Sequence, residues 1–203
     1  MSEILESKHF PHLWEGFMGS KQTPSPSEME QLLCKCSVFI YLGTERFTAT
    51  IPPAKLAALT LSDCQIALLF EQLQNNAGIL RQSILDTHKI AGQFALQKPL
   101  ETALLLSLGG VGCVVLNQWH SSLQQNTHNM ATVLDNLVKG RQTSGQTVHA
   151  SRKASSSETT HHMVTRPYDL LTDSEEDDVH HKVTLAPSAF NSILYGIPNF
   201  VFM

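Results

Sequence analysis

Ser174 is followed by Glu175, Glu176, Asp177 and Asp178, a run of carboxylates that suits the basic groove of an acid-directed kinase. Arg152-Lys153-Ala154-Ser155 has the opposite character, two bases just upstream of a hydroxyl. Ser174 and Ser155 are therefore expected phosphorylation sites, where each phosphate would add about −1.5 to −2 charges at pH 7. Tyr168-Asp169-Leu170-Leu171 precedes the acidic run and offers an aromatic and a large aliphatic anchor to a groove or sheet edge. Near the start, Phe10, Trp14 and Phe17 have i, i+4, i+7 spacing, with Pro11 suited to a first helical turn. An amphipathic helix there would seat three rings in a partner's groove or, the commoner use of such a stripe, cover the protein's own core.

The Tyr168–Leu171 pattern resembles tyrosine-based sorting signals. It also resembles the short peptides that dock on ubiquitin-like autophagy adaptors, where acidic flanks strengthen binding. Each resemblance spans four residues. The cysteines are Cys34, Cys36, Cys64 and Cys113. Cys34 and Cys36 form a C-x-C pair, which is neither the C-x-x-C redox spacing nor a zinc-ligand set, so buried free thiols are expected. His161-His162 and His180-His181 are adjacent pairs, whose side chains diverge on regular elements. They read as solvated histidines, and no metal is expected. No G-x-G-x-x-G, Walker A, G-x-S-x-G or H-E-x-x-H run is present. Residues 54–138 are also poor in Asp, Glu and Lys, the usual material of acid–base catalysis. The expectation is a protein with no catalytic residues and no cofactor.

Charged residues are only 16% of the 203 and the net charge is −4. That balance gives no general attraction to nucleic acid phosphates or anionic lipid. The opening Met-Ser-Glu-Ile-Leu-Glu carries acids where a signal peptide needs bases, and no N-x-Ser/Thr sequon occurs. A cytoplasmic or nuclear protein is expected, not a secreted one.

The elements that would position these residues follow from patterning. Residues 1–27 read as an N-terminal arm ending in a Pro/Ser linker, and Ser27 as the cap of a helix from Glu28 to Lys35. Residues 37–51 read as a β-hairpin turning at Gly43-Thr44, with Phe47, Ala49 and Ile51 alternating on one face. Across 54–97, apolar residues at Ile66, Leu69, Phe70, Leu73, Ala77, Leu80 and Ile84 keep helical steps, with Ser62 or Asp63 as cap. Pro99 opens another helix. The apolar run 103–116 would span about 21 Å as a helix, short of a hydrocarbon core of roughly 30 Å. It reads as core, with its glycines able to start a strand at 111–116. A further helix, 121–139, ends at Gly140.

Residues 141–184 are rich in Ser and Thr, carry half of the ten histidines and show no periodicity, so a disordered, phosphorylatable tail is expected. The stretch 185–203 is apolar again. It should fold back on the domain or dock on a partner. The fold class is thus mainly α: a small helical bundle over 28–140 with one β-hairpin, followed by a long disordered tail. The function expected is a non-enzymatic interaction or scaffold protein, self-associating through the helix at 62–97 and regulated by kinases acting on its tail. Small viral accessory proteins and polymerase cofactors share that layout. Its partners would be proteins, itself included, with no specific nucleic acid. The alternative is a membrane-associated trafficking protein that inserts residues 103–119, with Trp119 at the interface and the Tyr168–Leu171 signal in its tail.

Overall fold

A computed structural model describes residues 14–17, 24–71, 76–157 and 190–201. Helix α1, Pro26–Lys35, starts two residues earlier than a Ser27 cap would allow. Ser25 is the cap: its hydroxyl accepts the Glu28 N–H at 3.3 Å, and the Glu28 carboxylate accepts the Ser25 N–H at 2.8 Å. Met29 and Leu33, four residues apart, form its buried stripe.

The chain then alternates strand and helix. Strand β1 is Val38–Leu42, followed by the short helices α2, Phe47–Thr50, and α3, Pro53–Leu56. Strand β2 is Ile66–Phe70. Helices α4, Asn76–Asp86, α5, Ala91–Ala95, and α6, Pro99–Gly109, lead to β3, Cys113–Asn117. Helix α7, Leu123–Leu134, runs into a π-helical turn at Asp135–Lys139, and α8 is Ser144–Ser157. Strand β4, Ser192–Gly196, closes the described chain. The sheet order is β1-β2-β3-β4; the first three strands are parallel and β4 runs antiparallel to β3.

Parallel strands need helical crossovers, and those helices bury both faces of the sheet. One face carries Phe39, Ala67, Leu69, Val114 and Leu116, packed against α1, Phe47 of α2, Leu56 of α3, and Ala103 and Leu106 of α6. The other carries Ile66, Leu68, Phe70, Cys113 and Val115, packed against Met130, Val133 and Leu134 of α7, Leu137 of the π turn and Val148 of α8. The result is a three-layer α/β/α arrangement.

This overturns the helical bundle with a single hairpin. The expected hairpin splits: 38–42 is a strand, but 47–50 is helical, and the neighbour of β1 is the distant β2. The helix expected across 54–97 breaks among the described residues into α3, β2, α4 and α5, so the single long helix expected to carry self-association is replaced by a strand and shorter helices. Every residue of β2 is buried, because helices cover both of its sides. Residues 103–119 divide between the end of α6 and the fully buried β3 and do not form one continuous apolar helix. Among the described residues, no helix is long and apolar enough to cross a membrane. The expected disordered tail is also corrected in part. Residues 144–157 form α8, and β4 from the apolar C-terminal stretch completes the sheet.

Two glycines fix the joints. Gly110 ends α6 at φ +117°, and a Cβ there would lie 3.1 Å from the Ser62 backbone. Gly140 has an ordinary φ of −77°; it is required by closeness, since a Cβ would meet the Asn136 carbonyl at 2.7 Å.

Candidate functional site

In open α/β sheets the carboxyl ends of the parallel strands are the usual place for ligands. Here that edge holds a neutral polar cluster. Asn117, the last residue of β3, donates from Nδ2 to Asn126 Oδ1 of α7 at 2.8 Å, and Ser192 Oγ of β4 donates to Asn117 Oδ1 at 3.2 Å. Ser121 Oγ donates to the same Asn126 oxygen. Asn191 Oδ1 accepts the N–H groups of Gln118 and Trp119, each at 2.9 Å, and so turns the chain after β3. Asn117 and Asn126 are fully buried and Asn129 nearly so. Asn126 Nδ2, Asn129 Oδ1 and Gln118 Nε2 are buried without a protein hydrogen-bond partner. With amides and hydroxyls only, the cluster can orient polar groups but offers no strong acid or base.

A charged cluster lies beyond β1. Arg46 Nη1 reaches Asp86 Oδ2 at 3.1 Å and Gln97 Oε1 at 3.3 Å. Lys89 Nζ donates to Asp86 Oδ1 at 2.8 Å and to Gln97 Oε1 at 3.0 Å. Gln82 Nε2 adds a bond to Asp86 at 3.0 Å, and its Oε1 accepts the Arg46 N–H at 3.2 Å. Burial raises the Asp86 pKa, but the hydrogen bonds from Lys89 and Gln82 and the charges of Arg46 and Lys89 outweigh it, leaving the carboxyl below its ordinary value. Nearby, the buried Glu71 carboxylate accepts the Phe47 N–H at 2.6 Å, fixing the start of α2. Burial pushes the Tyr41 hydroxyl up to about 12.

These bonds have an unusual effect on α4. Its polar residues Gln82 and Asp86 face the protein, while Leu80 and Ile84 are each 63% exposed. Helix α6 carries a second outward stripe at steps of four, Leu100, Leu104 and Leu108, the last 84% exposed. Its opposite side, Thr102, Ala103 and Leu106, is buried.

Of the residues singled out in the sequence, Phe10, Tyr168, Leu171 and Ser174 lie outside the described residues, as do the paired histidines. Ser155 falls in α8. Trp14 packs against the second core, so it covers the protein's own core. Residues 14–17 are not helical, which removes the helical stripe expected to join Trp14 with Phe17. Cys34, Cys36, Cys64 and Cys113 are free thiols. Among the described residues, no three of His, Cys, Asp and Glu are placed to hold a metal ion. Sequence reasoning missed both clusters. One signal was available: Asn117 ends a continuous apolar run, where a polar residue marks a strand's functional end.

The fold and its sites thus define a three-layer α/β unit with a neutral polar edge and outward apolar helices. No family model matches the chain. In a match 108 residues long that covers 50% of this chain, it is 35% identical to cilia- and flagella-associated protein 46 of Chlamydomonas reinhardtii. The matched stretch spans only 4% of that protein.

Proposed function

We propose that this chain is a non-enzymatic protein-interaction module of a ciliary or flagellar assembly, docking on an apolar protein surface through α4 and α6. The observation that carries the reading is the inversion of α4. Its polar i, i+4 pair, Gln82 and Asp86, is spent on Arg46, while its apolar pair, Leu80 and Ile84, faces outward. A helix that serves only its own domain turns the apolar face inward. Exposed apolar stripes of this kind mark binding surfaces. The name of the algal relative supports the ciliary setting. The Tyr168–Leu171 segment and Ser174 beside its acidic run suit a tail that adds phosphorylation-controlled contacts.

The test is fractionation of ciliated cells expressing the tagged full chain and a Leu80→Glu, Ile84→Glu, Leu104→Glu variant. The intact chain should remain with detergent-extracted axonemes, and the variant should be released while keeping the intact chain's circular dichroism. Release of the intact chain, or undiminished retention of a folded variant, overturns the proposal.

A further inference from the structure

Cys36 follows α1 and Cys64 precedes β2, so 27 residues of sequence separate them. The sheet register brings them back together. Val38 pairs with Ile66 in the parallel β1–β2 ladder, and stepping back two residues on each strand reaches Cys36 and Cys64. The main chain stays paired over that step, because Ser37 O accepts both the Gln65 N–H at 2.8 Å and the Ile66 N–H at 3.3 Å. Cys36 and Cys64 lie just ahead of the strands and share the first apolar cluster, Cys64 inside it and Cys36 packed against it, whereas Val38 and Ile66 belong to the second. Neighbouring strands run about 4.8 Å apart, and a disulfide needs Cα atoms roughly 4.4–6.8 Å apart.

We propose that Cys36 and Cys64 form a reversible thiol–disulfide site that reacts with low-molecular-weight disulfides of the glutathione type, Cys36 attacking and Cys64 resolving. Each residue is fitted to its part. Cys36 is half-buried and so reachable, whereas Cys64 is fully buried. The Cys64 thiol, as hydrogen-bond partner, holds the Cys36 pKa below the ordinary thiol value, with burial opposing; the same pairing, together with burial, raises Cys64. Cys34 is raised by burial, so the adjacent C-x-C sulfur is the poorer nucleophile.

The Cys36 thiolate attacks one sulfur of the oxidised reagent, forming a mixed disulfide and releasing one glutathione thiolate. The Cys64 sulfur then attacks Cys36 sulfur, breaking the mixed disulfide. The Cys64 proton passes to the second departing thiolate. Two protein thiols lose two electrons and two protons, and one oxidised glutathione becomes two reduced ones. The bond would tie the end of α1 to the start of the central β2.

The experiment is incubation of the full chain with oxidised glutathione, alkylation of remaining thiols, and peptide mapping by mass spectrometry. A peptide bearing Cys36 should appear joined to one bearing Cys64, two hydrogens lighter than their sum and split by reductant. Cys34→Ser should leave that product unchanged. Cys64→Ser should instead accumulate glutathione on Cys36, and Cys36→Ser should leave Cys64 unmodified. A dominant Cys34–Cys36 bond, cross-linking only between chains, or no loss of free thiol in the intact protein would each overturn the proposal. The intact protein decides the matter even where a variant fails to fold.

Discussion

Gly110 shows how much one residue can fix. Its φ of +117° and the Ser62 backbone 3.1 Å from any Cβ leave no room for a side chain between α6 and β3. Gly110→Ala should cost about 1–3 kcal/mol, read as a lower denaturant midpoint at unchanged slope. Asp86 supplies a pH dependence with a definite sign. Its carboxyl sits below its ordinary 3.8 in the folded chain, so as pH falls the unfolded chain takes up the proton first. The stabilisation is complete above the ordinary value and is lost as pH drops through the folded one. Below about pH 4 the wild-type midpoint should fall more steeply than that of Asp86→Asn, which should already be less stable at neutral pH. Neither of these partners was legible in the sequence. Arg46 meets Asp86 across 40 residues, and Ser192 meets Asn117 across 75, distances at which residue type and local spacing carry no signal.

Local signals were legible where helices depend on local chemistry. The capping box and the Met29/Leu33 stripe of α1 are written in consecutive residues, although the cap falls on Ser25 and not Ser27. The helix expected near 121–139 is present as α7 and its π turn, with Ser122 accepting the Gln125 N–H at 3.1 Å. Ser25→Ala should cost about 1 kcal/mol of stability, measured by urea unfolding. Strands were expected where β1 and β3 lie, but two other segments were misassigned for a physical reason. Ile66, Leu69 and Phe70 satisfy helical steps, and the two apolar residues between them, Ala67 and Leu68, reveal the strand only once both sheet faces are known to be covered. Phe47, Ala49 and Ile51 alternate as a strand would, but Glu71 captures the Phe47 N–H and the segment turns helical. For α4, Leu80→Glu with Ile84→Glu should change the melting temperature little, since surface changes typically stay within about 0.5 kcal/mol each.

At the scale of the whole molecule, the two cores depend on elements far apart in the chain. Ending the chain at Gly140 would remove α8 with Val148 and the β4 edge that pairs with Val114 and Leu116. The shortened chain should bind hydrophobic dyes more strongly than the full chain and lose the near-ultraviolet circular dichroism that the full chain keeps. The pairing of β4 with β3 has a further consequence for the history of the chain. On the ribosome the β3 edge stays unpaired until residues 192–196 have been made to cover it, so a nascent or shortened chain presents a strand edge that a second chain could occupy.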